Sequence, residues 1–205
     1  IVGSDGVRTV TLGDRRMRGK WRMFPDFLHD YMKDVFASDW GNSELAKAPE
    51  DRHPLLNLYQ KVCWLQNADH LAQGGEIFQS KITGAVSLYL GLAYNLYCVE
   101  HNARTQPDWA RWIGKLKTTP DFEATCYEAM AAGALTRAGF VLDFVDETAD
   151  GKKVEFLATY PPTGARFAVE CKRRCRGESE KSREGKHLSQ AISQNQTGLP
   201  LVAFI

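Results

Sequence analysis

The spacing of apolar residues changes at Gly139, and this change limits which folds the chain can adopt. Before Gly139, apolar residues recur every three or four positions in long runs, which is the spacing of one helix face. After it, short runs of alternating apolar and polar residues are separated by turns containing glycine or proline, which is typical of β-strands. At 205 residues the chain can bury a core as one large domain or two small ones. The sequence therefore predicts an α/β protein that is helical first and carries a small sheet afterwards.

Residues 1–117 predict a mainly helical region whose role the sequence does not indicate. Helical spacing predicts helices over residues 24–40, 54–73, 82–99 and 108–116. The third run carries no charge and is near the lower length limit of a membrane span. Because it also contains several polar side chains and two glycines, a buried core helix is the better interpretation, and we expect no membrane association.

A cluster of basic residues surrounds Trp21 near the start of the chain. Such a cluster can contact a phosphate backbone, or it can form a solvated N-terminal arm, and the sequence leaves both interpretations open. Its members are Arg15, Arg16, Arg18, Lys20 and Arg22.

Residues 118–205 predict a second domain built as helix, three-strand meander, helix and strand around a central mixed sheet. We expect the first helix to begin with Thr119 as the N-cap and Pro120 in its first turn, and to end at Gly139. The pattern then predicts three strands, a helix and a last buried strand. The predicted strands cover residues 140–145, 153–160 and 165–172, the helix covers residues 187–194, and the last strand follows Pro200.

Four charged residues of this second domain fall at informative positions. Strand alternation places Glu170 and Lys172 on one face, with Cys171 on the other. Glu155 lies on the preceding predicted strand, and Glu128 lies in the middle of the preceding helix. Glu123 competes for the helix role, but a negative charge in the first turn is explained by the helix dipole. Taken singly, Glu155 or Lys172 is also consistent with an ordinary solvent-facing strand residue.

The order of these residues resembles the PD-(D/E)xK nuclease superfamily, which has the restriction-endonuclease-like fold. The resemblance covers residues 121–205, and Glu170-Cys171-Lys172 matches the Glu-x-Lys signature. The helix that carries Glu128 is similar to the helix motif of Mrr-like members. The chain departs from the pattern where Val154-Glu155 stands in place of Pro-Asp.

This resemblance implies Mg²⁺-dependent hydrolysis of phosphodiester bonds, with Mn²⁺ as a substitute and DNA as the expected substrate. It implies a catalytic set of Glu128, Glu155, Glu170 and Lys172. Glu155, Glu170 and the backbone carbonyl of Cys171 would hold the metal, which prefers oxygen ligands. Lys172 would orient the attacking water and offset developing negative charge. The alternative is a catalytically silent module that binds nucleic acid or a protein partner, because the fold does not guarantee activity.

A basic segment follows the motif and favours a nucleic-acid partner. Cations of this kind contact phosphates without reading sequence, although a solvated loop followed by an ordinary amphipathic helix explains the same residues. The expected nucleic-acid contacts are Arg173, Arg174, Arg176, Lys181, Arg183 and Lys186, together with Gln190 and Gln194 on one face of the next helix.

Charge and cysteine content complete the predictions. The formal net charge is +1, so any basic footprint must be local. The five cysteines are odd in number and no signal peptide is visible, which predicts a reduced, cytoplasmic protein. Cys171 and Cys175 lack the second Cys or His pair of a zinc site. A homodimer is left open. Because the chain starts at Ile1 and stops within an apolar run, we expect a fragment whose nuclease-like domain is cut short at its C-terminal end.

Overall fold

The computed structural model describes residues 6–75, 77–102, 109–145, 154–172 and 184–205. Within these ranges the chain forms a mixed α/β structure with a four-stranded mixed sheet and a separate two-stranded sheet. The helices are α1 (Phe24–Phe36), α2 (Ser38–Leu45), α3 (Pro54–Gln73), α4 (Gly84–Asn102), α5 (Trp109–Leu116), α6 (Thr119–Arg137) and α7 (Glu184–Gln194). The strands are β1 (Arg8–Leu12), β2 (Arg15–Gly19), β3 (Val141–Phe144), β4 (Phe156–Tyr160), β5 (Ala165–Cys171) and β6 (Leu201–Phe204).

The N-terminal segment is an antiparallel hairpin, and the basic cluster around Trp21 lies on and just after its second strand. β1 and β2 pair from Arg8 opposite Gly19 to Leu12 opposite Arg15. Gly13 has φ +52° in the connecting turn, a conformation that favours glycine. Leu12 is buried against the helices, and this inner face holds the hairpin in place.

The predicted helix over residues 24–40 is wrong at its C-terminal end, because α1 stops at Phe36 and α2 begins at Ser38. Ala37 separates them with φ +60°. With ψ +128° this is a sparsely populated conformation for a residue with a Cβ and costs roughly 1–3 kcal/mol, so the tertiary packing of the two helices must stabilise the break. At the start of α1, the Asp26 carboxylate accepts hydrogen bonds from the backbone N–H groups of Arg22 and Met23.

The remaining N-terminal helices agree closely with the sequence. α3 begins at Pro54 after His53, whose ring Nδ1 accepts a hydrogen bond from the Leu55 N–H, and it ends at Gly74 with φ +67°. α4 is a core helix in which Tyr89, Leu92 and Leu96 are buried. None of the helices in the described residues is long and apolar enough to cross a membrane.

Helix α6 lies between α4 and the sheet. Its N-cap is Thr118, one residue before the expected Thr119, and it ends before Gly139, which has φ +89° as the sequence indicated. Gly133 lets α6 approach α4 closely, because a Cβ at this position would lie 2.4 Å from Oδ1 of Asn95.

The main sheet has the order β3-β4-β5-β6. The first three strands form the predicted antiparallel meander, and β6 returns parallel to β5. The last strand is half-buried at the sheet edge rather than buried, since Val202 is 37% exposed. One hydrophobic cluster contains Tyr31 and Leu96 from the helical region together with Phe156 and Val169 from the sheet. The predicted division into domains at residues 117 and 118 stays a prediction.

Candidate active site

The candidate site lies at the end of the sheet where β4 begins and β5 ends. Phe156 of β4 pairs with Val169 of β5, and the N–H of Glu155 donates to the Val169 carbonyl over 3.0 Å. Glu155 therefore precedes β4 rather than lying inside it, contrary to the predicted strand over residues 153–160. The pairing brings Glu155 alongside the end of β5, where Glu170 lies.

Glu170 is a fully buried carboxylate, with 0% of its surface exposed. Its Oε1 forms an ion pair with Nζ of Lys172, as expected for two side chains on one strand face. The parallel strand β6 holds this segment, because the Lys172 N–H donates to the Phe204 carbonyl over 2.8 Å. Oε2 of Glu170 is also buried and has no hydrogen-bond partner among the described residues.

Burial controls the protonation of this carboxylate. Loss of solvation raises the pKa of Glu170 above its ordinary value, and the hydrogen bond and positive charge of Lys172 oppose the rise. A buried carboxylate with one unsatisfied oxygen is costly for the fold. Such a group is more readily explained by a chemical role than by a contribution to stability.

Glu128 and Glu155 line one cleft, and Glu170 and Lys172 are not among the residues that line it. The cleft encloses about 20 Å³, which is enough for roughly one water molecule. Trp112 of α5 fixes the orientation of Glu128, because its Nε1–H donates to Glu128 Oε2 over 3.2 Å. The competing residue Glu123 is exposed on α6 and does not line the cleft.

The pKa of the Cys171 thiol is affected by all four predicted catalytic side chains. Burial raises its pKa most, and the negative charges of Glu155, Glu128 and Glu170 raise it further, while Lys172 lowers it. Within the described residues, Glu128 and Glu155 line one cleft, whereas Glu170 and Lys172 form an ion pair at the end of the neighbouring strand β5.

Two basic residues of the cleft were not predicted. Arg111 and Lys115 lie one turn apart on α5 and line the cleft with Glu128 and Glu155. The Arg111 guanidinium also donates to the Val145 carbonyl over 3.4 Å. Their spacing of four residues on a short amphipathic helix was visible in the sequence, but nothing in the sequence indicated that α5 covers this end of the sheet.

The residues present agree with the donor chemistry of Mg²⁺. Within the described residues, no group of three His, Cys, Asp or Glu side chains is arranged to hold a metal ion. Mg²⁺, however, uses only one or two carboxylates and keeps several waters. Glu155 and the unsatisfied Oε2 of Glu170 supply oxygen donors of the required kind.

Most of the predicted nucleic-acid contacts cannot be placed. Arg173, Arg174, Arg176, Lys181 and Arg183 lie outside the described residues. Lys186 and Gln190 are exposed on α7, whereas Gln194 is half-buried. The side-chain amide oxygen Oε1 of Gln194 and the ring Nδ1 of His187 are buried without a hydrogen-bond partner in the described part of the chain. His187 was not among the predicted contacts. Both side chains lie on the side of α7 that carries the buried Ala191, at helical spacing from it.

Comparison of the chain with protein-family models, with curated proteins and with solved structures gave no match.

Proposed function

We propose that this chain is a Mg²⁺-dependent nuclease, most simply a DNA endonuclease, with a core of the restriction-endonuclease-like type. The observation that carries the proposal is the buried Glu170, paired with Lys172 at the end of β5, one residue beyond the Val169 carbonyl that accepts a hydrogen bond from the Glu155 N–H. An ion pair that is costly to bury, with further carboxylates on the neighbouring elements, has the composition of a site for phosphodiester hydrolysis.

The order of secondary structure supports the same proposal. α6, the antiparallel meander β3-β4-β5, helix α7 and the parallel strand β6 follow one another in the order expected of the superfamily. Each proposed catalytic group comes from a different part of this unit. Glu128 comes from α6, Glu155 precedes β4, and Glu170 and Lys172 lie at the end of β5.

The proposed roles follow from the chemistry of each side chain. Glu155, Glu170 and the Cys171 carbonyl would hold Mg²⁺, which polarises the scissile phosphate and lowers the pKa of a water ligand. The Lys172 ammonium would orient the attacking water and offset negative charge that develops on the phosphate. Arg111 and Lys115 would attract a phosphate that binds at the mouth of the cleft. Glu128, oriented by Trp112, would accept hydrogen bonds from water at the mouth of the site.

Cleavage of supercoiled plasmid DNA with Mg²⁺ or Mn²⁺ tests the proposal. Cleavage by the wild-type chain should cease with EDTA and should be lost in Glu170→Ala. Lys172→Ala should lower the rate by about 10²–10³-fold, the effect of removing one positioned donor, while DNA affinity changes less. A single-stranded RNA substrate in the same series would establish whether DNA is preferred.

Two glutamates of α6 give a matched control. Glu128→Gln removes a charge from the cleft, whereas Glu123→Gln makes the same change at an exposed position of the same helix. We expect the first to reduce cleavage and the second to leave it unchanged. Cleavage that persists in both Glu170→Ala and Lys172→Ala would refute the site assignment.

A silent nucleic-acid-binding module remains the second candidate. It is favoured by the departure at Glu155, whose side chain is one methylene longer than the expected aspartate. Tight DNA binding with no cleavage in Mg²⁺ or Mn²⁺ would support it. Restoration of cleavage by Glu155→Asp would show that side-chain length alone had silenced the site.

A further inference from the structure

Three cations share the outer face of the N-terminal hairpin. Strand alternation places Arg16 and Arg18 on one side of β2, and Lys20 continues the row just after the strand. All three side chains are exposed, and no carboxylate of the described residues pairs with them. Across the hairpin, Thr11 lies opposite Arg16 and Thr9 lies opposite Arg18, so hydroxyl groups flank the row.

The inner face of the same hairpin is anchored to the helices. Arg15 points inward and forms ion pairs with Glu100 of α4 and Asp34 of α1. Nε1 of the buried Trp21 donates to Oδ2 of Asp30 on α1 over 2.8 Å. The inward arginine therefore has two carboxylate partners while the outward cations have none among the described residues. This contrast is not expected of charges that serve only to keep a surface soluble, where both signs are mixed.

We propose that the outer face of the hairpin, formed by Arg16, Arg18 and Lys20, binds the phosphate backbone of the nucleic-acid substrate. The inference rests on the proposed function for the identity of that substrate. Alternate residues of a strand are about 6.8 Å apart. Alternate phosphates of one DNA strand advance by about the same distance along the duplex axis. A two-stranded ribbon also fits the major groove, and guanidinium groups bind phosphate oxygens in pairs.

An anionic membrane is the other surface that attracts a row of cations. Binding at a membrane interface also requires apolar side chains that enter the lipid. The outer face carries Thr9 and Thr11 between the strand ends and has no aromatic or large aliphatic residue there. With a formal net charge of +1 for the whole chain, three outward cations without carboxylates form a local positive patch. The pattern therefore favours a regular polyanion over a lipid surface.

The test is the salt dependence of DNA binding by the full chain. Fluorescence anisotropy with a labelled 20-base-pair duplex, in EDTA to prevent hydrolysis, gives the slope of log K against log salt concentration. For the Arg16→Gln, Arg18→Gln, Lys20→Gln variant we expect the slope to fall by about 2.7, the effect of losing three phosphate contacts. The Arg16→Lys, Arg18→Lys variant keeps the charges and should retain the wild-type slope.

A control variant carries the same loss of charge elsewhere. Lys47→Gln, Lys61→Gln and Arg166→Gln remove three exposed cations, two of which have carboxylate partners, Glu44 and Asp143. Its slope should stay close to that of the wild type. Equal slopes in the hairpin and control variants would overturn the inference. The inference would also be overturned if the hairpin variant kept the wild-type slope for DNA but no longer sedimented with vesicles containing 30% phosphatidylserine, because the cations would then bind a membrane.

Failure of this inference is distinguishable from failure of the proposed function. Cleavage by the wild-type chain together with an unchanged slope in the hairpin variant overturns the inference alone. A reduced slope in the hairpin variant, with no cleavage by the wild type in any divalent metal, supports the binding surface and refutes the nuclease. Thermal unfolding midpoints equal to that of the wild type establish that all variants are folded.

Discussion

The contact between α4 and α6 gives a quantitative prediction from one added methyl group. A Cβ on Gly133 would lie 2.4 Å from Asn95 Oδ1, 2.8 Å from its Cβ and 2.9 Å from its Cα. The last of these atoms is backbone, so rotation of the Asn95 side chain cannot relieve the clash. Gly133→Ala therefore requires α6 to move away from α4.

Two opposing effects determine how much Gly133→Ala changes the free energy of unfolding. Alanine in a helix interior is about 0.5–1 kcal/mol more favourable than glycine. Overpacking of a close interface costs about 1–3 kcal/mol. Gly91, inside α4, is the matched control, because a Cβ there would have no atom within 4 Å. Gly91→Ala should stabilise the protein by about 0.5–1 kcal/mol, and Gly133→Ala should be less stable than Gly91→Ala by about 1–3 kcal/mol.

Urea denaturation followed by circular dichroism measures the free energy of unfolding of both variants. At this chain length 1 kcal/mol corresponds to about 2–4 °C in Tm, so thermal melts give an independent check. An equal gain in stability from Gly133→Ala and Gly91→Ala would refute the close packing of α6 on α4.

Two further predictions concern buried polar groups. Burial raises the pKa of Glu170, so the native state binds a proton more tightly than the unfolded state does. The contribution of this group to the free energy of unfolding therefore falls as the pH rises from the ordinary glutamate pKa through the raised pKa. Glu170→Gln should therefore stabilise the protein more at pH 7 than at pH 4, measured by urea denaturation, and an equal effect at both pH values would contradict the assignment. Tyr31→Phe removes the hydrogen bond from the Tyr31 hydroxyl to Glu100 Oε2 (2.7 Å) and should cost about 1.5–3 kcal/mol of unfolding free energy; a cost below about 0.5 kcal/mol would show that this bond is not maintained in solution.

The features that follow from local chemistry were predictable from the sequence. Gly139 ends α6 because a left-handed conformation is needed there, and strand alternation correctly placed Glu170 and Lys172 on one face. The order of the meander followed from the glycine and proline turns. In each case the signal is confined to a few neighbouring residues.

The features that depend on tertiary contacts were not predictable. The break at Ala37 has no glycine or proline to mark it, and packing of α1 and α2 overrides the helical pattern. The hairpin was missed although Thr9, Val10 and Thr11 favour a strand. The anchoring of Arg15 by Glu100, which helps to hold the hairpin, involves a partner far along the chain. Arg111 and Lys115 reach the candidate site only because α5 packs across the end of the sheet.

The position of β5 in the sheet has a consequence for folding kinetics. β3, β4 and β5 are joined by antiparallel, sequence-local pairings, whereas β5 and β6 pair in parallel across the segment that contains α7. Local pairings form early because closing a short loop costs little conformational entropy. The parallel pairing forms later because the intervening chain must be ordered first. The Lys172 N–H is held by the carbonyl of Phe204 in β6. The ordered geometry of the Glu-x-Lys segment is therefore expected to be one of the last features acquired during folding. In a refolding experiment, recovery of site function should lag behind recovery of the helical circular dichroism signal.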